Sequence, residues 1–167
     1  MFPRPRDLGA GWSYRVDMGD AEAGYEGSGT PRLARDPVEV ATLAVPLGCP
    51  RPEELPLARK ATEVDYAYRE RPVVAVRLVF ADGRTAQTFV DARHAAVAGC
   101  VGLSGGPAVG PYVSRVEGAM NDRTPESEPW TEIVVRRGAA VLLVAASGPI
   151  EHTPLDPATW RRLVGAA

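Results

Sequence analysis

The clearest pattern in the chain is the alternation of apolar and polar positions from Lys60 to Phe80. In KATEVDYAY, Val64, Tyr66 and Tyr68 alternate with Glu63, Asp65 and Ala67, the period of two of a half-buried strand. Arg69-Glu70-Arg71-Pro72 follows. Proline cannot donate to a β-ladder, so the first strand is expected to stop here and a second to begin just after it. Val73 to Phe80 is dense in β-branched residues, with Val74, Val76, Leu78 and Phe80 on one face and Val73, Ala75, Arg77 and Val79 on the other. So short a connection predicts an antiparallel hairpin. Asp82-Gly83 breaks the run, and Asp82 is the expected N-cap of a helix. From Arg84 to Gly99, apolar or small residues recur at Ala86, Phe89, Val90, Val97 and Cys100, with Ala96 beside them. That spacing makes one helical stripe, expected to lie on the hairpin face of Val74, Val76 and Leu78.

A second hairpin is predicted from Thr131–Arg136 and Ala139–Ala146, with Arg137-Gly138 at its turn. Val141–Val144 is apolar on both faces, so its strand should be central. Weaker strand patterns occur at Trp12–Met18 and Tyr112–Glu117, and Val38–Val45 fits either a strand or a helical turn. Asp156-Pro157 opens a final helix whose apolar face is Trp160, Leu163 and Val164. The stretches 19–37, 50–56, 101–111 and 121–129 are rich in glycine, proline or acids and read as loops. The sum is a single α+β domain over residues 1–167, with 1–37 looser. It is an antiparallel sheet of about five to six strands with helices packed on one face, in the order β-β-α-β-β-β-α. The other face is expected to be open, and an open face is a natural binding surface.

The formal net charge of −2 gives no global field that would favour nucleic acid or an anionic membrane. No apolar run is long enough to span a bilayer, and no apolar segment follows the basic start Met1–Arg6 as in a signal peptide. Two compartments remain open: extracytoplasmic, with the targeting segment absent from this chain, or cytoplasmic. The only two cysteines bear on that choice. Cys49 precedes the first hairpin and Cys100 closes the helix after it, so a bridge would clamp the whole unit. Such a loop would contribute roughly 4 kcal/mol in the chain-entropy model and would imply an oxidising compartment. Two buried free thiols are the other reading.

Candidate chemistry is sparse. Gly102-Leu103-Ser104-Gly105-Gly106 matches G-x-S-x-G, but it follows a helix, whereas a nucleophile elbow needs a strand-to-helix turn. A plain loop is the reading, although Ser104, Asp122 and His152 stand in a triad-like order. His94 and His152 have no metal-ligand spacing. The acidic clusters Glu53-Glu54 and Asp122, Glu126, Glu128 lack a calcium-loop pattern. No cofactor and no catalytic residue is assigned. Tyr66, Tyr68, His94, Ser104, Tyr112 and Trp130 are the candidates for lining a groove, the aromatics suiting an apolar or sugar-like ligand.

Asp7-Leu8-Gly9-Ala10-Gly11-Trp12, the Gly48-Cys49-Pro50 element, and the strand followed by Asp82-Gly83-Arg84-Thr85-Ala86-Gln87-Thr88-Phe89 and ending in Gly99-Cys100 resemble the extracytoplasmic sensor-like domains of actinobacteria. Those domains occur on serine/threonine kinases and as stand-alone lipoproteins. The resemblance extends over roughly residues 7–147. It implies a secreted or surface-tethered sandwich with a cleft, a small-molecule or cell-envelope ligand, and no catalysis. The chain departs from it in offering one possible disulfide rather than two. The expected function is therefore non-enzymatic ligand binding. The alternatives are an interaction or structural protein, such as a homodimer formed through an exposed sheet face or edge, and, more remotely, a small hydrolase.

Overall fold

The structure, a computed structural model, describes residues 2–15, 32–38, 40, 52–99, 104–106, 113–118, 130–147, 158–159 and 162–163. Its elements in chain order are α1 (Pro5–Leu8), β1 (Trp12–Tyr14), β2 (Arg32–Arg35), β3 (Lys60–Tyr68), β4 (Arg71–Val79), α2 (Gly83–Ala98), β5 (Ser104–Gly106), β6 (Val113–Gly118), β7 (Trp130–Arg137) and β8 (Ala140–Ser147). The fold is α+β, built on one antiparallel sheet in the order β1-β3-β4-β8-β7-β6-β5, with β2 also paired to β3. The sheet has eight strands among the described residues, against the five to six expected. Strand β1 falls within the weak pattern at Trp12–Met18; the surplus is β2 and β5, of four and three residues, too short to show a period of their own.

Both predicted hairpins form. In the first, Arg69 and Glu70 alone make the turn, and β4 already begins at Arg71. Pro72 is therefore inside the strand, opposite Ala67. Pairing with β8 starts only at Val73, so the hydrogen bond Pro72 cannot donate is not missed. In the second, the turn is Gly138-Ala139, one residue later than the sequence suggested. Gly138 takes φ +54°, and β8 is buried from Ala140 to Ala146 on both faces, as befits a strand between β4 and β7.

Helix α2 starts where expected. Asp82 accepts from the Thr85 backbone N–H at 2.8 Å and from its hydroxyl at 3.0 Å, a side-chain N-cap. The helix buries Ala86, Phe89, Val90, Arg93, Ala96 and Val97. Phe89 and Val90 pack with Leu78, Phe80, Val134, Val141 and Leu143, and Val76 lies against the same cluster, so the predicted stripe meets the predicted face. Of Val38–Val45, which fitted strand or helix, Val38 and Val40 are helical, and the other residues lie outside the described ones. The Asp36 carboxylate accepts from Val38 N–H at 2.8 Å, and Val40 is buried in the helix-side core.

The opposite face is not bare. Val64, Tyr66, Val73, Ala75, Ile133, Val135, Leu142, Val144 and Ala146 form a second core with Phe2 and Leu8 from the N-terminal strap and Leu163 from the C-terminal helical residues. The expected helix layer on one face is thus joined by a thinner cover on the other. The reason is compositional: once β8 is apolar on both sides, each side needs covering.

One edge has an unusual construction. Trp12–Tyr14 pair with Tyr68–Tyr66, and Arg32–Arg35 pair with Val64–Ala61, both antiparallel to β3 and running the same way. Only Asp65 lies between, and its carbonyl accepts from Arg15 N–H at 3.0 Å. Two short strands therefore do the work of one, with residues 16–31 inserted between them.

Candidate functional site

The alternation of β3 sets Tyr66 and Tyr68 on the strap side, and the register of β1 brings Trp12 opposite Tyr68 and Tyr14 opposite Tyr66. Four rings meet at one corner of the sheet. Trp12 packs edge-on against Tyr66, with centroids 5.7 Å apart and planes at 89°, and is tilted on Tyr68 at 5.4 Å. Tyr14 stacks on Tyr66 at 5.7 Å. Tyr66 is wholly buried and donates its hydroxyl to the Pro3 carbonyl at 2.8 Å, tying the strap to the sheet. Trp12, Tyr14 and Tyr68 keep part of each ring in solvent.

The turn beside these rings is strained. Arg69 and Glu70 have φ of +49° and +72°. Positive φ at both central positions marks a type I′ turn, the hairpin turn that normally selects Asn-Gly. Side chains in that region cost of order 1 kcal/mol each and persist where the surroundings enforce them. Two contacts do so here. Arg69 N–H donates to the Gly11 carbonyl at 2.9 Å, and the Arg69 guanidinium lies 5.3 Å over the Tyr68 ring, a cation–π contact. Gly11, itself at φ +86°, leaves room for both side chains: a Cβ there would come within 3.2 Å of the Tyr68 ring and 3.3 Å of Arg69 Cγ.

Other predicted site residues lie elsewhere. His94 is exposed on α2, across the sheet from the tyrosines. Partial burial, then the neighbouring Arg93 charge, lower its pKa below 6.5, with Asp91 opposing. Ser104 begins β5, at the far edge of the sheet from β1, where it pairs with Glu117 in extended conformation. Trp130 begins β7, paired with Gly118 and Ser147. Tyr112, and the expected partners Cys49 and Cys100, lie outside the described residues, as do Asp122 and His152. The structure therefore brings Tyr66 and Tyr68 together and leaves His94 and Ser104 away from them.

Two features were missed in the sequence. One is the strained turn: Arg-Glu carries no turn signature, although a short gap between β-runs, read as Arg69–Pro72, was visible. The other is a buried ion pair between Arg93 and Glu132, linking α2 to β7. Its signal was a lone charge in the apolar stripe, one turn from both Phe89 and Val97. Burial pushes the Glu132 carboxyl up, and the Arg93 guanidinium pulls it back. The pair sits within the helix–sheet interface and holds two elements in register. On β3, Glu63 meets Arg35 of β2 at 3.7 Å.

Among the described residues, no three His, Cys, Asp or Glu side chains gather as a metal site would need, and no helix is long and apolar enough to cross a membrane. No protein-family model matches the chain. No curated protein matches it either.

Proposed function

We propose that this chain is a non-enzymatic, extracytoplasmic, sensor-like binding domain, and that its binding surface is the aromatic corner of Trp12, Tyr14 and Tyr68 with the Arg69-Glu70 turn. The observation that carries the reading is the coincidence of two features. A hairpin turn is held at positive φ by residues that resist it, beside aromatic residues left partly in solvent. Backbone strain of this kind collects where a ligand is met. Tyrosine and tryptophan exposed in part offer an apolar face with a polar tip, suited to a ligand that is itself amphipathic. The sequence resemblance to actinobacterial sensor-like domains supports the compartment.

Two measurements test it. Amide resonances of residues 11–15 and 66–71 should shift when the isotopically labelled protein is titrated with a solubilised cell-envelope fraction, and Trp12→Ala should abolish those shifts. Shifts that map instead to α2 or to β5 would move the site. Mass spectrometry with and without reductant addresses the compartment: a mass difference matching one Cys49–Cys100 bridge supports export, and two free thiols after oxidative purification oppose it.

A further inference from the structure

We infer that the N-terminal strap is a displaceable occupant of the aromatic corner, and that the ligand it gives way to is an extended, proline-containing segment of a partner protein. This rests on the corner being the binding surface and names what it binds. The strap reads Phe2-Pro3-Arg4-Pro5-Arg6-Asp7-Leu8. The rings of Pro3 and Pro5 fix φ at about −65°, and a residue before a proline is biased to extended backbone. Arg4, between them, has φ −79° and ψ 152°, the polyproline II conformation. That conformation makes no internal hydrogen bonds and leaves carbonyls for outside donors. Tyr66 supplies one, its hydroxyl donating to the Pro3 carbonyl at 2.8 Å. Phe2 and Leu8 flank that bond in sequence and are buried in the core to which Tyr66 belongs, with Trp12 and Tyr14 packed against it. Ring-locked backbone, a captured carbonyl and an aromatic floor are the means by which aromatic-lined surfaces take proline-rich peptides.

The strap is built to leave as a unit. The Asp7 carboxylate accepts from the Arg4 backbone N–H at 3.2 Å and from Arg4 Nε at 3.1 Å, and Asp7 N–H donates to the Arg4 carbonyl at 2.8 Å. These bonds close within the strap and travel with it. Its link to β1 is Gly9-Ala10-Gly11, with Gly9 at φ +119° and Gly11 at φ +86°. A Cβ on Gly9 would meet nothing within 4 Å, so glycine serves the backbone there and not the space around it. Departure uncovers the Tyr66 hydroxyl and the seats of Phe2 and Leu8. A competing segment must offer the same three contacts: a proline carbonyl with an apolar residue on either side. The short tether gives the strap an effective concentration of roughly millimolar order, so a partner enters by gripping more tightly than the strap does.

The test uses the intact chain and a capped peptide copying residues 2–8. Calorimetry should show the peptide binding Phe2→Ala about tenfold or more tightly than wild type, because the tethered competitor has lost an anchor. Tyr66→Phe should leave the wild-type affinity for the peptide nearly unchanged, since strap and peptide lose the same bond. On the Phe2→Ala background it should weaken the peptide about fivefold. In isotopically labelled wild type, excess unlabelled peptide should erase the nuclear Overhauser contact between Tyr66 and the chain's own Pro3, a readout that needs no variant. Persistence of that contact, or equal peptide affinity for wild type and a natively folded Phe2→Ala, would overturn the inference. A concentration-dependent dimer that the peptide dissociates would assign the seat to a second copy's strap and overturn the partner protein. Envelope-induced shifts at residues 11–15 and 66–71 would in either case still uphold the corner as the site.

Discussion

The two ends of the sheet turn the chain with opposite chemistry. At one end, Gly138 supplies the positive φ of the β7–β8 turn. The Ala139 carbonyl accepts from Phe80 N–H at 2.8 Å, and Asp82 caps α2 just beside it. Every residue there does what its type prefers. At the other end, Arg69 and Glu70 hold positive φ without a glycine, next to aromatic residues that stay partly exposed. Local preference and structure agree where the chain is only being folded, and they part where it presents side chains to solvent. That contrast is what favours the corner as the proposed binding surface.

Between the two ends runs α2, and the largest expected effect concerns its tie to the sheet. Arg93→Ala should cost about 3–5 kcal/mol in urea unfolding, because Glu132 is left as an unpaired buried charge. Replacing both, with Arg93→Met and Glu132→Leu, should recover most of that loss; if it does not, the pair does more than satisfy itself. Tyr66→Phe should cost about 1 kcal/mol by orphaning the Pro3 carbonyl, with the effect confined to strap residues in hydrogen exchange. The turns then give the sharpest contrast. Gly138→Ala should lose about 1 kcal/mol, since a Cβ is forced into the left-handed region. Glu70→Gly should gain up to about 0.5 kcal/mol once relief of strain is set against the greater freedom of the unfolded chain. It should also weaken ligand binding by loosening Arg69. A loss of stability in Glu70→Gly comparable to that in Gly138→Ala would erase the distinction between the ends.

The smallest effect is electrostatic. Hydrogen bonds from the Thr85 backbone and hydroxyl hold the Asp82 carboxyl below 3.8. Its folded pKa is depressed, so its contribution is present above 3.8 and fades as pH falls through the lower folded value. The melting-temperature gap between wild type and Asp82→Ala should therefore close on strong acidification. A gap that persists unchanged would mean the cap acts without its charge.

The parts legible in sequence were those set by neighbours along the chain. Alternation gave both hairpins and the α2 stripe, and Asp82-Gly83 gave the helix start. What was hidden depends on partners far away in sequence. Phe2, Leu8 and Leu163 cover the second face, yet none lies in a periodic run long enough to announce a layer. The pairing of Arg93 with Glu132 crosses from helix to strand, so each looked like an ordinary charge. Tyr66 and Tyr68 were visible as neighbours on one strand face. Trp12 and Tyr14 joined them only through a register that no local pattern encodes.

The end-to-end placement of β1 and β2 along β3 has a further result. The sheet dictates where residues 16–31 depart and where they return, but not how many of them there are, because each flanking strand is anchored by its own ladder. Length and composition there are free to vary without disturbing the register of any other strand. The fold therefore has a built-in position, a few residues from the Trp12 ring, at which new sequence can be spliced in while the rest stays as it is.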